Sequence, residues 1–399
     1  MISSSEASRL ILSKVPAFGT ERVDLSLAVG RVLAVDVMTD REMPPFDRVM
    51  MDGIGIKYAQ FEKGQRSFEI EGVAAAGAVQ QSLRSPESCI EVMTGAILPN
   101  GCDTVIRYED TELIGHQMKV ADVSVREFQN IHAQGKDFPK GEIVLPKYHK
   151  LKPIDVNVLA SVGIAKVEVM KLPKVAVVST GDELVDVGQT PLPHQIRKSN
   201  VHMLAAGLSQ WGVAATMVHL PDQKEAIEAQ LQTIIGQHDV VLMSGGVSKG
   251  KFDYVPDALA AVGVQKRFHR VAQRPGKPFW FGESDKVFVF AFPGNPLSTA
   301  VCFYKYFVPW LSASIKKNWV NQSVILSKEV SFRPSLTYFA QASIENVDGQ
   351  LLATVSHGNG SGDIAHPTTM SGFVELPSGQ EVFQKGMVVP FIPFDYSGT

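Results

Sequence analysis

Residues able to do chemistry gather where apolar runs break into glycine, proline and polar side chains. Met243–Asp253, MSGGVSKGKFD, follows the run Asp239-Val-Val-Leu. Gly245 and Gly246 let backbone approach an anion where a Cβ would clash. Ser248, Lys249, Lys251 and Asp253 then supply hydroxyl, cation and carboxylate. The set suits a phosphate held by backbone N–H groups, with a carboxylate free for a metal. Its alternative is a turn in which Asp253 caps a helix. In KVAVVSTGDELV, Ser179-Thr180-Gly181 leads into Asp182 and Glu183. Adjacent carboxylates past a strand end can bind Mg²⁺ or move a proton, or cap a helix. RPGKPFWFG sets Arg274 and Lys277 around a stiff turn before an aromatic strand. There a guanidinium fork and a point charge can grip an oxyanion, unless both are solvated surface cations. FPGNPLSTAV joins strand to helix through Pro293, Gly294, Asn295 and Pro296. It reads as an anion-attracting helix start or simply as a well-made one.

The elements needed to position these groups are a strand before each junction and a helix after it. From 171 to 318, KVAVVST, GVAATMVHL, DVVLMS, QKRFHRV and VFVFAF alternate with amphipathic segments, the pattern of a doubly wound α/β domain. Ligands of such sheets bind at the carboxyl ends of the strands. The junctions together therefore predict an elongated anionic ligand along one rim. Residues 41–137 are β-rich and glycine-rich, with FEIEGVAAAGAV, CIEVMTGAILPNGCDTVIRYED and MKVADVSV as short strands and turns. Within them MPPFDRVMMDG presents Asp47 and Asp52, although Asp52-Gly53 also fits a plain hairpin turn. Thr94 precedes Gly95 in MTGAILPNGCDTVI, ahead of the turn Pro99-Asn100-Gly101. From 319 onward VILSKEV, LTYFAQASIE, LLATVSH, GFVELP and MVVPFIPF predict a small β-barrel or sandwich. An amino-terminal helix capped near Ser3–Ser5 and another opened by Pro153 complete the plan.

At 399 residues the chain exceeds one ordinary core. A net charge of −3 argues against a broad basic face for nucleic acid. Cys89, Cys102 and Cys302 are widely spaced, which suits neither a disulfide framework nor a zinc site. With no leader-like amino terminus and no apolar run of membrane-spanning length, the expectation is a cytoplasmic protein without membrane or nucleic-acid partners. His132, His194, His202, His219 and His269 show no metal-ligand spacing.

PPFDRVMMDG, VMTGAILPNGCDTVI, GKD, STGDELV, SNVHML, SGGVSKGKFD, RPGKP and FPGNPLS occur in an order that resembles the MoeA family, the molybdopterin molybdenumtransferases, relatives of the gephyrin E-domain. The resemblance spans about residues 5–395. It implies an elongated homodimer of four-domain subunits. Residues 1–40 and 138–170 would form a discontinuous dimerisation domain, 41–137 an inserted β-rich domain, 171–318 a molybdopterin-binding α/β domain and 319–399 a β-barrel. It also implies that molybdate is inserted into adenylylated molybdopterin with release of AMP, dependent on Mg²⁺. Motif by motif, Glu183, Asp222 in HLPDQ, Asp253 and Asp52 match acidic positions needed for activity, and Asp222 and Asp253 are the candidates for Mg²⁺. Thr94 and Asp137 match residues of the inserted domain, which the family brings with Asp52 from the partner subunit. Arg274, Lys277 and Ser361 are expected to hold oxyanion. Thr180, Gly245, Gly246, Ser248, Pro293, Asn295 and Pro296 are expected to line the substrate cleft. A molybdopterin adenylyltransferase and molybdoenzyme chaperones are the protein partners it suggests.

The chain departs from the family pattern at Lys198, at His132 and Lys136, at Ala291 and Phe292, and in LTYFAQA, which lacks arginines frequent there. That last change puts the barrel's share of oxyanion binding in question. Two rivals stand beside this reading. One is a molybdopterin adenylyltransferase, which the 171–318 topology alone would fit; the other is a non-catalytic, gephyrin-like scaffold.

Overall fold

The computed structural model describes residues 1–247, 254–317, 319–356, 358, 360–363 and 366–395. The predicted strand–helix alternation is present as β1 (Val175–Thr180), α1 (Asn200–Ser209), β2 (Ala215–Leu220), α2 (Lys224–Gln237), β3 (Val240–Ser244), α3 (Val255–Ala261), β4 (Gln265–His269), β5 (Trp280–Glu283), β6 (Phe288–Phe292) and α4 (Pro296–Cys302). They form one sheet in the order β2-β1-β3-β6-β5-β4. Its first four strands are parallel. β5 runs antiparallel to both neighbours, so the sheet is mixed at that edge. Both faces are covered, and side chains of β1 alternate between them. Val175 and Val177 pack with Leu204, Phe303 and Trp310, while Ala176 and Val178 pack with Ile227, Leu231 and Leu259. That double burial explains why every position of β1 and β3 is buried.

The register brings the junctions together. Ser179 pairs with Ser244, and Ser244 with Phe292, so β1, β3 and β6 end level at one edge. The expected long helix after β6 is interrupted. α4 passes through a π turn at Phe303–Phe307 into the helix Val308–Ser314. Pro309 has no N–H to give the ladder there, and the π turn precedes it.

The carboxyl-terminal segments close into a barrel. β7 (Gln322–Leu326), β8 (Thr337–Val347), β9 (Gln350–Ser356), β10 (Gly372–Leu376) and β11 (Val388–Pro393) pair in the ring β8-β9-β7-β11-β10 and back to β8. Closure removes the sheet edges. Val324, Ala340, Ala342, Val374 and Val389 fill its interior.

The described chain divides into two compact units. One comprises Met1–Val23, Gly30–Ala34 and Glu168–Thr399 and contains the α/β sheet and the barrel. Its amino-terminal helix Ser4–Leu12 is capped by Ser3, whose hydroxyl accepts from Glu6 N at 3.1 Å. The other comprises Asp24–Val29 and Val35–Val167. In it Thr104–Arg107, Gly53–Ile56, Ser88–Val92, Ser67–Ala74, Gln117–Val120 and Thr111–Ile114 make a six-stranded mixed sheet, in that order. Its two apolar clusters are built around Ile54, Phe68 and Ile106, and around Val49, Val92 and Val105. The helix Pro153–Ser161 starts at the proline, as expected. Asp52-Gly53 is not a hairpin turn. Gly53 opens a strand so close to its neighbour that a Cβ would overlap Ile106 O.

Candidate active-site cleft

Beyond the level ends of β1, β3 and β6 lies a cavity of about 980 Å³. Thr180, Gly181, Glu183, Asp222, Gly245, Gly246, Pro293, Asn295 and Pro296 all line it. The wall between β1 and β3 is backbone against side chain. Gly245 has φ +100, and a Cβ there would stand 2.9 Å from Thr180 Oγ1 and 3.0 Å from Thr180 O. Only glycine combines that conformation with that approach. Gly245 N donates to Phe292 O at 3.2 Å, tying this turn to the end of β6. The α4 start is held by Thr299, whose hydroxyl donates to Pro293 O at 2.6 Å while its N–H donates to Asn295 O at 3.0 Å.

Carboxylates occupy the β1–β2 side. Glu183 folds back over Gly181, into space that a Cβ would take. Asp182 Oδ1 accepts from Asp222 N at 3.1 Å. Partial burial pushes the Asp222 carboxyl up, and the negative charges of Asp182 and Glu183 push in the same direction. His219 hydrogen-bonds Ser179 Oγ through Nδ1 at 3.0 Å. Burial and the nearby Lys198 charge hold its pKa down. Lys198 itself donates to Asp186 at 2.9 Å and keeps that carboxyl low.

No group of three or more His, Cys, Asp or Glu converges on a metal position among the described residues. Mg²⁺ commonly takes one or two carboxylates and completes its shell with substrate phosphate and water. Asp222, a cleft carboxylate crowded by the charges of Asp182 and Glu183, fits that donor pattern. Ser248 and Asp253 lie outside the described residues.

A second cavity of about 500 Å³ adjoins the first, with Pro278, Pro293 and Asn295 in both linings. It contains Arg274, Lys277 and Ser361. The RPGKP turn does not continue the parallel rim, as its sequence pattern suggested. Gln273–Arg274 instead pairs with β8 of the barrel, Arg274 opposite Tyr338. The turn is braced from behind by buried Gln273, whose Nε2 donates to Pro275 O at 3.1 Å and Gly276 O at 3.3 Å. Tyr306 OH donates to Gln273 Oε1. Arg274 and Lys277 are exposed on this turn and form no ion pair among the described residues. Asn295 Nδ2 donates to Ser361 Oγ at 2.7 Å, linking the α4 start to the segment that follows β9.

Asp52, Thr94 and Asp137 belong to the other unit. Asp52 Oδ1 accepts from Thr94 N at 2.6 Å and Thr94 Oγ1 at 2.7 Å, and these two bonds lower its pKa. Asp137 Oδ1 lies 2.8 Å from His132 Nε2, and Arg48 approaches His132 Nδ1 at 3.3 Å.

Asn200 was not among the expected site residues, although its segment SNVHML was. Its Nδ2 donates to Ser244 Oγ at 2.8 Å and Gly294 O at 2.7 Å, joining two rim loops from the first turn of α1. Arg197 and Lys198 also line the larger cavity. Polar residues in an ordered motif at a predicted helix start were the available signal; their convergence needed the sheet.

A doubly wound sheet with a polar cleft at its carboxyl edge, joined to a closed barrel, sets the structural class. Residues 2–163 match the family described as "MoeA N-terminal region (domain I and II)". Residues 176–313 match that described as "Probable molybdopterin binding domain". The chain is 38% identical over 396 residues to the molybdopterin molybdenumtransferase of Synechocystis, covering 98% of this chain and 99% of the relative. It is 30% identical over 384 residues to that of Bacillus subtilis, covering 93% and 89%. The crystal structure of the MoeA protein of Pyrococcus horikosii superposes with a TM-score of 0.85 at 27% identity, covering 99% of each chain. The chain belongs to the MoeA family of molybdopterin molybdenumtransferases and is an enzyme of molybdenum cofactor biosynthesis. No described helix is long and apolar enough to cross a membrane.

Proposed function

We propose that the enzyme takes adenylylated molybdopterin and molybdate, releases AMP and leaves molybdenum on the dithiolene, with Mg²⁺ required. The observation that carries this reading is the pair of adjoining cavities. One is walled by glycine backbone and carboxylates and has room for an elongated pterin nucleotide. The other holds two cations, as a small oxyanion requires. Asp222, with Asp253, would hold Mg²⁺, which when bound neutralises charge on the phosphoanhydride and the departing AMP. Glu183 is assigned to proton acceptance or ligand orientation. Thr180, Gly245, Gly246, Ser248, Pro293, Asn295 and Pro296 are assigned to the pterin nucleotide. Arg274, Lys277 and Ser361 are assigned to molybdate. Tungstate has nearly the same size and charge and would compete.

The four-domain division at residues 40, 137, 170 and 318, a homodimer, and a cytoplasmic location belong to the same proposal. So does completion of the cleft by Asp52, Thr94 and Asp137 of the second subunit. Incubation with adenylylated molybdopterin, Mg²⁺ and graded molybdate tests the reaction. Molybdate-dependent AMP formation is expected. Consumption of ATP and molybdopterin to make the adenylylated compound, with no response to molybdate, would replace this reading with the adenylyltransferase one.

A further inference from the structure

Gln341 is a polar residue in an apolar setting. On β8 the side chains alternate, so Ala340 and Ala342 fill the barrel while Phe339 packs outward against Leu297 and Val301 of α4. Gln341 shares the outward register of Phe339. It is 4% exposed, and its Oε1 is buried with no hydrogen-bond partner among the described residues. A buried amide oxygen left unpaired costs free energy that an aliphatic side chain of similar size would avoid. No hydrogen bond from the described residues offsets that cost.

The same side chain lies in the wall of the cavity that holds Arg274 and Lys277. A half-turn of the amide exchanges its oxygen and its NH₂, so one position can present either an acceptor or two donors. Beside two cations, the NH₂ orientation is the one an anion selects.

We propose that Gln341 is a specificity-determining residue of this cavity, its amide donating to an oxygen of the tetrahedral oxyanion held by Arg274 and Lys277. The assignment rests on the reading of this cavity as the molybdate subsite and refines it. A neutral donor adds recognition without a third positive charge. Together with Arg274 and Lys277, which can only donate, it makes a set with no acceptor for an O–H and so favours molybdate and tungstate, fully deprotonated at neutral pH, over hydrogen phosphate.

The test is direct titration of the purified full-length protein with sodium molybdate and with sodium phosphate by calorimetry at pH 7.5, alongside thermal melting. Gln341→Met keeps the volume and removes the amide. It is expected to weaken molybdate binding about tenfold and to melt no lower than the parent. Gln341→Glu places an acceptor carboxylate at the same point. It is expected to weaken molybdate further, by about a hundredfold, while narrowing the preference over phosphate. Molybdate affinity unchanged in either folded variant overturns the assignment. Arg274→Ala separates the two layers of the argument. If it too leaves molybdate binding unaltered, the molybdate subsite itself is misplaced. If Arg274→Ala weakens binding and Gln341→Met does not, only the role of Gln341 falls.

Discussion

Asp52 and Asp222 are carboxylates whose surroundings pull them in opposite directions. Two donors from Thr94 lower the Asp52 pKa from its ordinary 3.8. Thr94→Val removes the hydroxyl donor but keeps the N–H, so the Asp52 titration followed by carboxyl NMR should move upward. Because the folded pKa is depressed, Asp52 contributes stability above its unfolded pKa and loses it as pH falls through the folded value. The variant should therefore have a smaller contribution, whose loss begins at the same unfolded pKa and is complete at a higher pH than in the parent. For Asp222 the sign reverses. Burial and the charges of Asp182 and Glu183 raise its pKa, so the folded state holds the proton more tightly and the contribution fades as pH rises through the folded pKa. Asp222→Asn should melt above the parent at pH 7, with the difference closing below pH 3.8, the ordinary aspartate value. AMP formation in the same variant should fall at least about a hundredfold if this carboxylate serves the reaction. Retained turnover would remove Asp222 from the proposed machinery.

At the scale of elements, the positions of Arg274 and Lys277 depend on a turn packed against α4. A Cβ on Gly276 would stand 2.6 Å from Gln273 Nε2 and 2.9 Å from Cys302 Sγ, at φ +89. Gly276→Ala should cost roughly 1–3 kcal/mol in urea unfolding and weaken molybdate binding, because the turn must shift as a unit. Tyr306→Phe removes the donor to Gln273 Oε1 deep in the core and should cost about 1–3 kcal/mol. Its effect on oxyanion affinity should be smaller than that of Gly276→Ala, since Gln273 keeps its two carbonyl partners. The strands here were largely legible, because runs such as KVAVVST are β-branched and end in glycine. The π turn before Pro309 and the pairing of Arg274 with the barrel were not. Both depend on what packs against the segment, which local propensity does not encode.

For the whole molecule, the apolar clusters of the Val35–Val167 region are its own. Expressed alone, residues 35–167 should give a cooperative β-type melt by circular dichroism; a featureless unfolded spectrum would refute this. The proposed homodimer should elute near twice 43.4 kDa in light scattering. If Asp52 of one subunit serves the cleft of the other, Asp52→Asn and Asp222→Asn homodimers should each be inactive. Dissociated and reassociated together, they should recover about a quarter of parental activity, since half the dimers are mixed and each of these has one intact cleft. No recovery in verified mixed dimers would place Asp52 and Asp222 in the same subunit's site, or Asp52 in none.

The sequence by itself was enough to determine the alternating α/β segment, the β-rich regions on either side and the family, because periodicity, turn residues and ordered motifs are local properties of the chain. Thr180, Gly245 and Asn295 could likewise be recognised as rim residues one junction at a time. Tertiary structure decided that three strands end level, that the cations come from a turn attached to the barrel, and that Asn200 ties two rim loops together. It also decided that Gln341 Oε1 is buried without a hydrogen-bond partner among the described residues, in a side chain that lines the cavity of Arg274 and Lys277. Those facts arise from register and closure between segments far apart in the chain, and spacing along one segment cannot carry them.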